Sequence, residues 1–263
     1  MRSLLAITTY NQIHYTDLLL KRLKYHSDVD VLIVDDFSTD NYPALAKHYG
    51  VGIITKDKGY GPTHSWNLAY QKFKYGNYNF LFISNNDVII PDGALGNMAR
   101  TLQDNMVVVP FCNPQGISSL GEQQKISRYK ELNLGDYDSR HAPDEMFTYE
   151  TIQEIQDKIN NREDDRKLGS FGGHFMGFNG EILDYEFEPD KLFDPSREFT
   201  GGDNEIFRRL RNQDIRATLC KSAYVFHFRY GSSDITTDRR ILQVQRELDF
   251  SKTDSAVPFP NLI

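Results

Sequence analysis

Cysteine is the first scarcity in this chain: Cys112 and Cys220 are the only two. They form no C-x-x-C spacing and no disulfide framework, which fits a reducing compartment. Long hydrophobic runs are missing as well, none reaching the ~18 residues that a membrane-spanning helix needs. Met1-Arg-Ser-Leu-Leu-Ala-Ile7 passes straight into polar Thr8-Thr-Tyr-Asn11 without a secretory cleavage pattern, so a cytoplasmic location is expected. Blocks of Lys and Arg are absent too. With a net charge of −7, nothing is in place to release counterions from a nucleic-acid backbone, and no nucleic-acid partner is expected. Neither a G-x-G-x-x-G fingerprint nor a Walker lysine motif occurs, which argues against a dinucleotide enzyme.

What is present suits a folded enzyme-sized domain. The 263 residues are 39% hydrophobic, with 15 Tyr and 17 Phe available for packing or for stacking on bases and sugar faces. Short β-rich runs alternate with helical patterns: strands at 3–9, 30–35, 51–55 and 79–84, helices around Leu18–Leu23, at 42–49 and at 63–75. Such alternation predicts an α/β fold, a mostly parallel central sheet covered by helices on both faces. The unbroken runs Val31-Leu-Ile-Val34 and Phe80-Leu-Phe-Ile83 agree, because strands buried on both sides lose in/out alternation. A further strand is expected at 106–110. From 113 to 168 the pattern weakens into Gly, Ser and charge, with one helix at 148–167 whose Ile152, Ile155 and Ile159 make an apolar stripe. This stretch reads as an insertion. The compact pattern resumes at 172–179, continues with a helix at 203–213 and strands at 215–219 and 223–228, and ends in a helix at 238–248 and an extended tail.

Ligands in such sheets bind beyond the carboxyl ends of the strands, and chemistry-bearing residues gather there. Phe80-Leu-Phe-Ile-Ser-Asn-Asn-Asp87 delivers a carboxylate with Asn85 and Asn86 ahead of it. Asp87 can ligate Mn²⁺ or Mg²⁺ bridging two phosphates, or simply end a polar strand. His227 ends another apolar run and can join it as a ligand or be a satisfied core histidine. Thr8, Thr9, Tyr10 and Asn11 leave the first strand with hydroxyl and amide groups able to hold a base and ribose, or to cap a helix. Asp35 and Asp36 end the second strand, where a carboxylate can accept from a base N–H or cap the following turn. Gly61 lies in Lys58-Gly-Tyr-Gly-Pro-Thr-His-Ser-Trp-Asn67, a loop entering a helix whose start favours phosphate. Asp203 follows Gly201-Gly202 and opens a helix either as an N-cap or as a general base, with Glu205 in reserve.

Taken together, Thr9-Tyr-Asn11, the run from Asp35 to Asp40, Gly61 through Asn67, the run ending in Asp87 and Val88, Leu192-Phe-Asp194, Gly202-Asp-Asn-Glu205 and His227 through Ser232 resemble family 2 inverting glycosyltransferases of the GT-A fold, especially rhamnosyltransferase-like members. The likeness implies a GT-A domain over 1–233, with 113–168 as an acceptor-side insertion and 234–263 as a C-terminal helix and tail. It implies a nucleoside-diphosphate sugar (UDP-, GDP- or dTDP-linked) as donor and a glycan or similar hydroxyl as acceptor. Asp203 would be the base. Thr8, Thr9, Tyr10, Asn11, Asp35, Asp36, Gly61, Asn67, Asn85 and Asn86 would hold the donor, and Asp87 and His227 the Mn²⁺ or Mg²⁺. Two departures stand out: Asn85 replaces the first acid of the usual Asp-X-Asp motif, and Trp66 stands where many members have an arginine, offering a stacking surface. The competing readings are a catalytically inactive sugar-binding protein and a sugar-phosphate nucleotidyltransferase, although the latter would want a basic, glycine-rich loop after the first strand.

Overall fold

A computed structural model describes residues 1–23, 28–112, 149–163, 165–185, 190–196 and 202–228. In chain order the elements are β1 (Ser3–Thr9), α1 (Ile13–Arg22), β2 (Val29–Asp35), α2 (Tyr42–Tyr49), β3 (Gly52–Thr55), α3 (Pro62–Lys74), β4 (Phe80–Asn85), β5 (Val88–Ile89), α4 (Ala94–Thr101), β6 (Val107–Cys112), α5 (Tyr149–Ile159), β7 (Arg166–Lys167), β8 (Phe175–Asn179), a 3₁₀ turn (Gly180–Asp184), α6 (Gly202–Asn212) and β9 (Thr218–His227). Among the described residues the strands form one nine-stranded sheet in the order β3-β2-β1-β4-β8-β6-β9-β5, with β7 paired to β9. β1, β2, β3 and β4 run parallel, β6 and β9 share their direction, and only β8, β5 and β7 oppose it. The sheet is therefore mostly parallel, as the alternation predicts. Among the described residues no helix is long and apolar enough to cross a membrane.

Period-two alternation assigns the strand residues to two cores. Leu4, Ala6, Leu32, Val34, Leu81 and Ile83 face one side with Trp66, Tyr70 and Phe73 of α3, Ile152, Ile155 and Ile159 of α5, and Ile206 and Leu210 of α6. Leu5, Ile7, Val31, Ile33 and Phe82 face the other with Leu19 and Leu20 of α1, Leu45 of α2 and Met98 of α4. Helices thus cover both faces, each contributing one apolar stripe. Their ends are set locally. The Asn41 side chain accepts from Ala44 N at 3.1 Å to start α2, and Gly50 at φ 66° ends it in a conformation that disfavours a Cβ.

Three expectations need correction. The helix placed at 148–167 ends at Ile159, and Arg166 and Lys167 instead pair with β9. Ile152, Ile155, Ile159 and Leu168 are buried in the main core, so the part of the expected insertion that carries them packs into the body of the fold. The remainder of the expected insertion, 113–148, lies outside the described residues, as do the helix at 238–248 and the tail. Finally, the two strands expected at 215–219 and 223–228 are one, Thr218–His227.

The break expected within that strand corresponds to a register shift. Where β6 advances one residue, from Pro110 to Phe111, β9 advances four, from Cys220 to Tyr224. An odd step opposite an even one flips every later side chain to the other face. In strict alternation His227 would share the face of Leu219; instead it follows Val225, in the second core. The freed backbone groups are satisfied from the helices: Asn97 Nδ2 and Gln156 Nε2 donate to Ser222 O at 2.6 and 2.8 Å, and Tyr224 N donates to Gln156 Oε1 at 2.8 Å. Gln156 falls on the same stripe as Ile152, Ile155 and Ile159, and a polar residue there is the signal that α5 serves a backbone irregularity. Gln156→Leu is expected to lower stability by about 1–3 kcal/mol, the cost of a stranded buried N–H. Urea denaturation measures it, and an unchanged midpoint would show that the bulge does not depend on this amide.

Candidate active site

The registers Thr9↔Asp35 and Thr8↔Asn85 bring the carboxyl ends of β2, β1 and β4 level, and the loops leaving them form the edge of the candidate site. Thr8 Oγ1 donates to Ser84 O at 3.2 Å, fastening β1 to β4. Thr9 Oγ1 donates to Asp35 Oδ1 at 3.4 Å, and Ser38 donates to the same oxygen from its backbone N at 3.2 Å and from its hydroxyl. Burial raises the Asp35 pKa, while those donors work against the rise. Asn11 ties the two loops together, its Oδ1 accepting from Thr39 N at 2.9 Å and its own N donating to Ser38 Oγ at 2.7 Å. Asn86 Nδ2 reaches Asn11 O at 3.4 Å, and Asn85 N donates to His174 O at 2.9 Å.

Asp36 has a constructional task. Tyr60 N and Gly61 N donate to its two oxygens at 2.9 and 2.8 Å, and the Lys56 ammonium pairs with it. Lys56 is itself buried and donates to Gly61 O at 3.3 Å. Burial lowers the Lys56 pKa, and the Asp36 carboxylate opposes that shift. The Tyr60 and Gly61 N–H groups of the Gly-Tyr-Gly loop are thus spent on Asp36 rather than left for a phosphate. Gly61, at φ 81°, turns the chain into Pro62 at the start of α3. Lys56 was not singled out from sequence, because a single lysine after Thr55 has no spacing to mark it.

Asn67 is also committed: its Nδ2 donates to Phe193 O at 2.8 Å and its Oδ1 accepts from Phe193 N at 2.9 Å. Trp66 offers no stacking face to a ligand, since its ring lies in the core against Phe193, centroids 5.1 Å apart. The exposed aromatics of this edge are Tyr10, 52% accessible, and Phe37, 55% accessible. Phe37 holds φ 65°, a left-handed conformation costly for a bulky residue and the kind of strain found at binding sites.

Asp87 is 2% exposed. Its Oδ1 stands 3.2 Å from His227 Nε2, yet makes no hydrogen bond among the described residues. The antiparallel pairing Val88↔His227 sets this approach. A divalent ion with bonds of about 2.1 Å in octahedral geometry keeps neighbouring ligands about 3.0 Å apart. An orphaned buried carboxylate oxygen beside an imidazole nitrogen at that spacing fits a metal ion. The His174 ring stacks on His227 at 4.9 Å and 11°, and burial holds its pKa well below the ordinary value, so it stays neutral.

Asp203 sits in the first turn of α6; its side chain lies outside the described residues. Glu205, its reserve, accepts from Arg208 Nε and Nη2 at 2.9 and 2.7 Å and from Arg209 Nε at 3.3 Å. The Arg208 hydrogen bonds lower its pKa, which makes it a weak base.

Many solved structures resemble this chain, among them the following three. A mannosyltransferase from Pyrobaculum calidifontis, PcManGT, in complex with GDP-Man and Mn²⁺ has TM-score 0.57 and 15% identity, covering 94% of this chain and 61% of its own. GalNAc-T7 with UDP, GalNAc and Mn²⁺ has TM-score 0.58 and 14% identity, covering 86% and 44%. Residues 1–349 of S. aureus TarS with UDP-GlcNAc have TM-score 0.55 and 15% identity, covering 94% and 65%. The chain therefore spans less than two thirds of these proteins, and at such identity the likeness shows the GT-A fold. No curated protein matches the sequence. The family model described as glycosyl transferase family 2 matches residues 5–187, well over half the chain. The chain belongs to glycosyltransferase family 2.

Proposed function

We propose that this glycosyltransferase is metal-dependent and inverting, moving a hexose or deoxyhexose from a nucleoside-diphosphate sugar to a hydroxyl of a glycan or similar acceptor. The observation that carries the metal is the Asp87 Oδ1 atom, buried, without a hydrogen bond and 3.2 Å from His227 Nε2. Asp87 and His227 hold Mn²⁺ or Mg²⁺ in this reading. When bound, the ion neutralises charge developing on the departing diphosphate. The solved relatives with GDP-Man, UDP and UDP-GlcNAc support a nucleotide-linked donor.

The donor lies along the edge formed by Thr9, Asn11 and Asp35, with Tyr10 and Phe37 exposed to stack on its base. Thr8, Asp36, Gly61 and Asn67 act one layer back, fixing the strands and loops that shape this edge, while Asn85 and Asn86 bridge from the donor loop to Asp87. Asp203 takes the proton of the acceptor hydroxyl, the oxygen bonds to the anomeric carbon, and the bond to the diphosphate breaks. One displacement inverts the configuration. A rhamnosyltransferase-like donor follows only from the sequence resemblance.

Thermal denaturation with UDP-, GDP- and dTDP-sugars, with and without Mn²⁺, tests the reading. One donor at 100 times its Kd is expected to add about 2.7 kcal/mol of stability, and release of its nucleoside diphosphate is expected with a glycan acceptor. Failure of every donor to stabilise the protein in Mn²⁺ would overturn it.

A further inference from the structure

Behind the Asp87–His227 pair lies a second group of metal-ligating side chains of a different chemical character. One ligating atom from each of Cys112, His174 and His227 lies within 4.8 Å of the other two. The three come from separate elements: Cys112 ends β6, His174 precedes β8 and His227 ends β9. The topology brings these together because β6 lies between β8 and β9, and Cys112 pairs with Val225, two residues from His227 and on the same face. His174 is 4% exposed, and its Nε2 has no hydrogen-bond partner among the described residues. A buried imidazole nitrogen left unpaired is costly unless something binds it. His227, with its side chain 11% exposed, connects the cluster to the site edge.

We infer that Cys112, His174 and His227 form a site for a soft divalent cation, zinc being the natural occupant, distinct in chemistry from the oxygen-rich position at Asp87. Tetrahedral zinc with Zn–N of about 2.0–2.1 Å and Zn–S of about 2.3 Å places its ligands about 3.3–3.6 Å apart. From separations within 4.8 Å, the three donors reach that spacing by closing in by at most about 1.2–1.5 Å. Thiolate and imidazole favour zinc over manganese or magnesium, which prefer carboxylate and phosphate oxygen. Binding displaces the Cys112 proton to solvent, and the fourth position falls to Asp87 or water. His227 cannot serve both ions at once. If the proposed function is right, zinc withdraws a ligand from the Mn²⁺ position and inhibits in competition with manganese; the binding test below does not depend on that function.

The metal-stripped full chain is titrated with Co²⁺, a spectroscopic substitute for zinc. One equivalent is expected to give a thiolate-to-cobalt charge-transfer band that Zn²⁺ bleaches. Cys112→Ser should remove the band, and Cys220→Ser should leave it, because Cys220 sits apart against Thr101 and Ser222. His174→Gln should weaken Co²⁺ binding at least as much as the roughly 10–100-fold that loss of an outer-sphere partner costs. Absence of the band, or its survival in Cys112→Ser, would overturn the assignment. Should Cys112→Ser misfold, alkylation of the native chain decides: Zn²⁺ must slow labelling of Cys112, mapped by peptide, and equal labelling with and without Zn²⁺ rejects the site.

Discussion

Alanine in place of Asp87 is expected to remove all strengthening of donor binding by Mn²⁺ and to cut transfer by about 10³-fold, the worth of several kcal/mol of metal stabilisation at the departing diphosphate. The fold should survive. Asp87 Oδ1 holds no hydrogen bond among the described residues, so truncation strands no partner there. The backbone carbonyl of the same residue still accepts from Phe228 N at 2.9 Å, keeping the end of β9 in place. Titration calorimetry of the nucleoside diphosphate with Mn²⁺ and with EDTA reads the effect directly. Equal affinities in the two buffers for the unmodified protein would eliminate a metal-bridged diphosphate.

Asp203→Asn is expected to keep the fold and donor affinity while lowering transfer by about 10²–10⁴-fold, the usual contribution of a positioned general base. Asparagine preserves size and keeps a carbonyl oxygen that can accept from the unpaired N–H groups of the first turn of α6, so only proton acceptance is lost. Glu205 is poorly placed to substitute, because Arg208 and Arg209 hold its carboxylate and depress its pKa. Measurement of kcat beside the donor Kd separates the two roles of Asp203. Transfer near the wild-type rate would reduce it to a helix cap.

Much of the fold was legible because its signals are local. Unbroken apolar runs such as Phe80-Leu-Phe-Ile83 mark strands buried on both faces, and the Asn41, Gly50 and Pro62 punctuation marks helix ends without tertiary knowledge. The edge of the candidate site was legible for the same reason, since Thr9, Asp35 and Asp87 each close or follow a strand. What stayed hidden is relational. No spacing announces that Asp36 is saturated by Lys56 and two loop N–H groups, or that Asn67 is consumed by the Phe193 backbone. The alternation broke in β9 where the register shifts, and that break reads equally well as a gap between two strands. Trp66 illustrates the limit of substitution logic, because a residue that stands, by family resemblance, where an arginine is expected can turn into the core when its neighbour Phe193 offers a ring to pack on.

Helix α3 connects the two halves of the proposed site through direct contacts. Gly61 and the loop before it open this helix, Asn67 grips Phe193 further along, and the adjacent Asp194 reaches Arg209 of α6, the helix that carries Asp203 in its first turn, at 3.8 Å. Under the proposed function, a nucleotide sugar that shifted or steadied the start of α3 would act on the acceptor side through these contacts. Free energy passed along such contacts runs both ways: by whatever factor the donor tightens the hold on the acceptor, the acceptor tightens the hold on the donor.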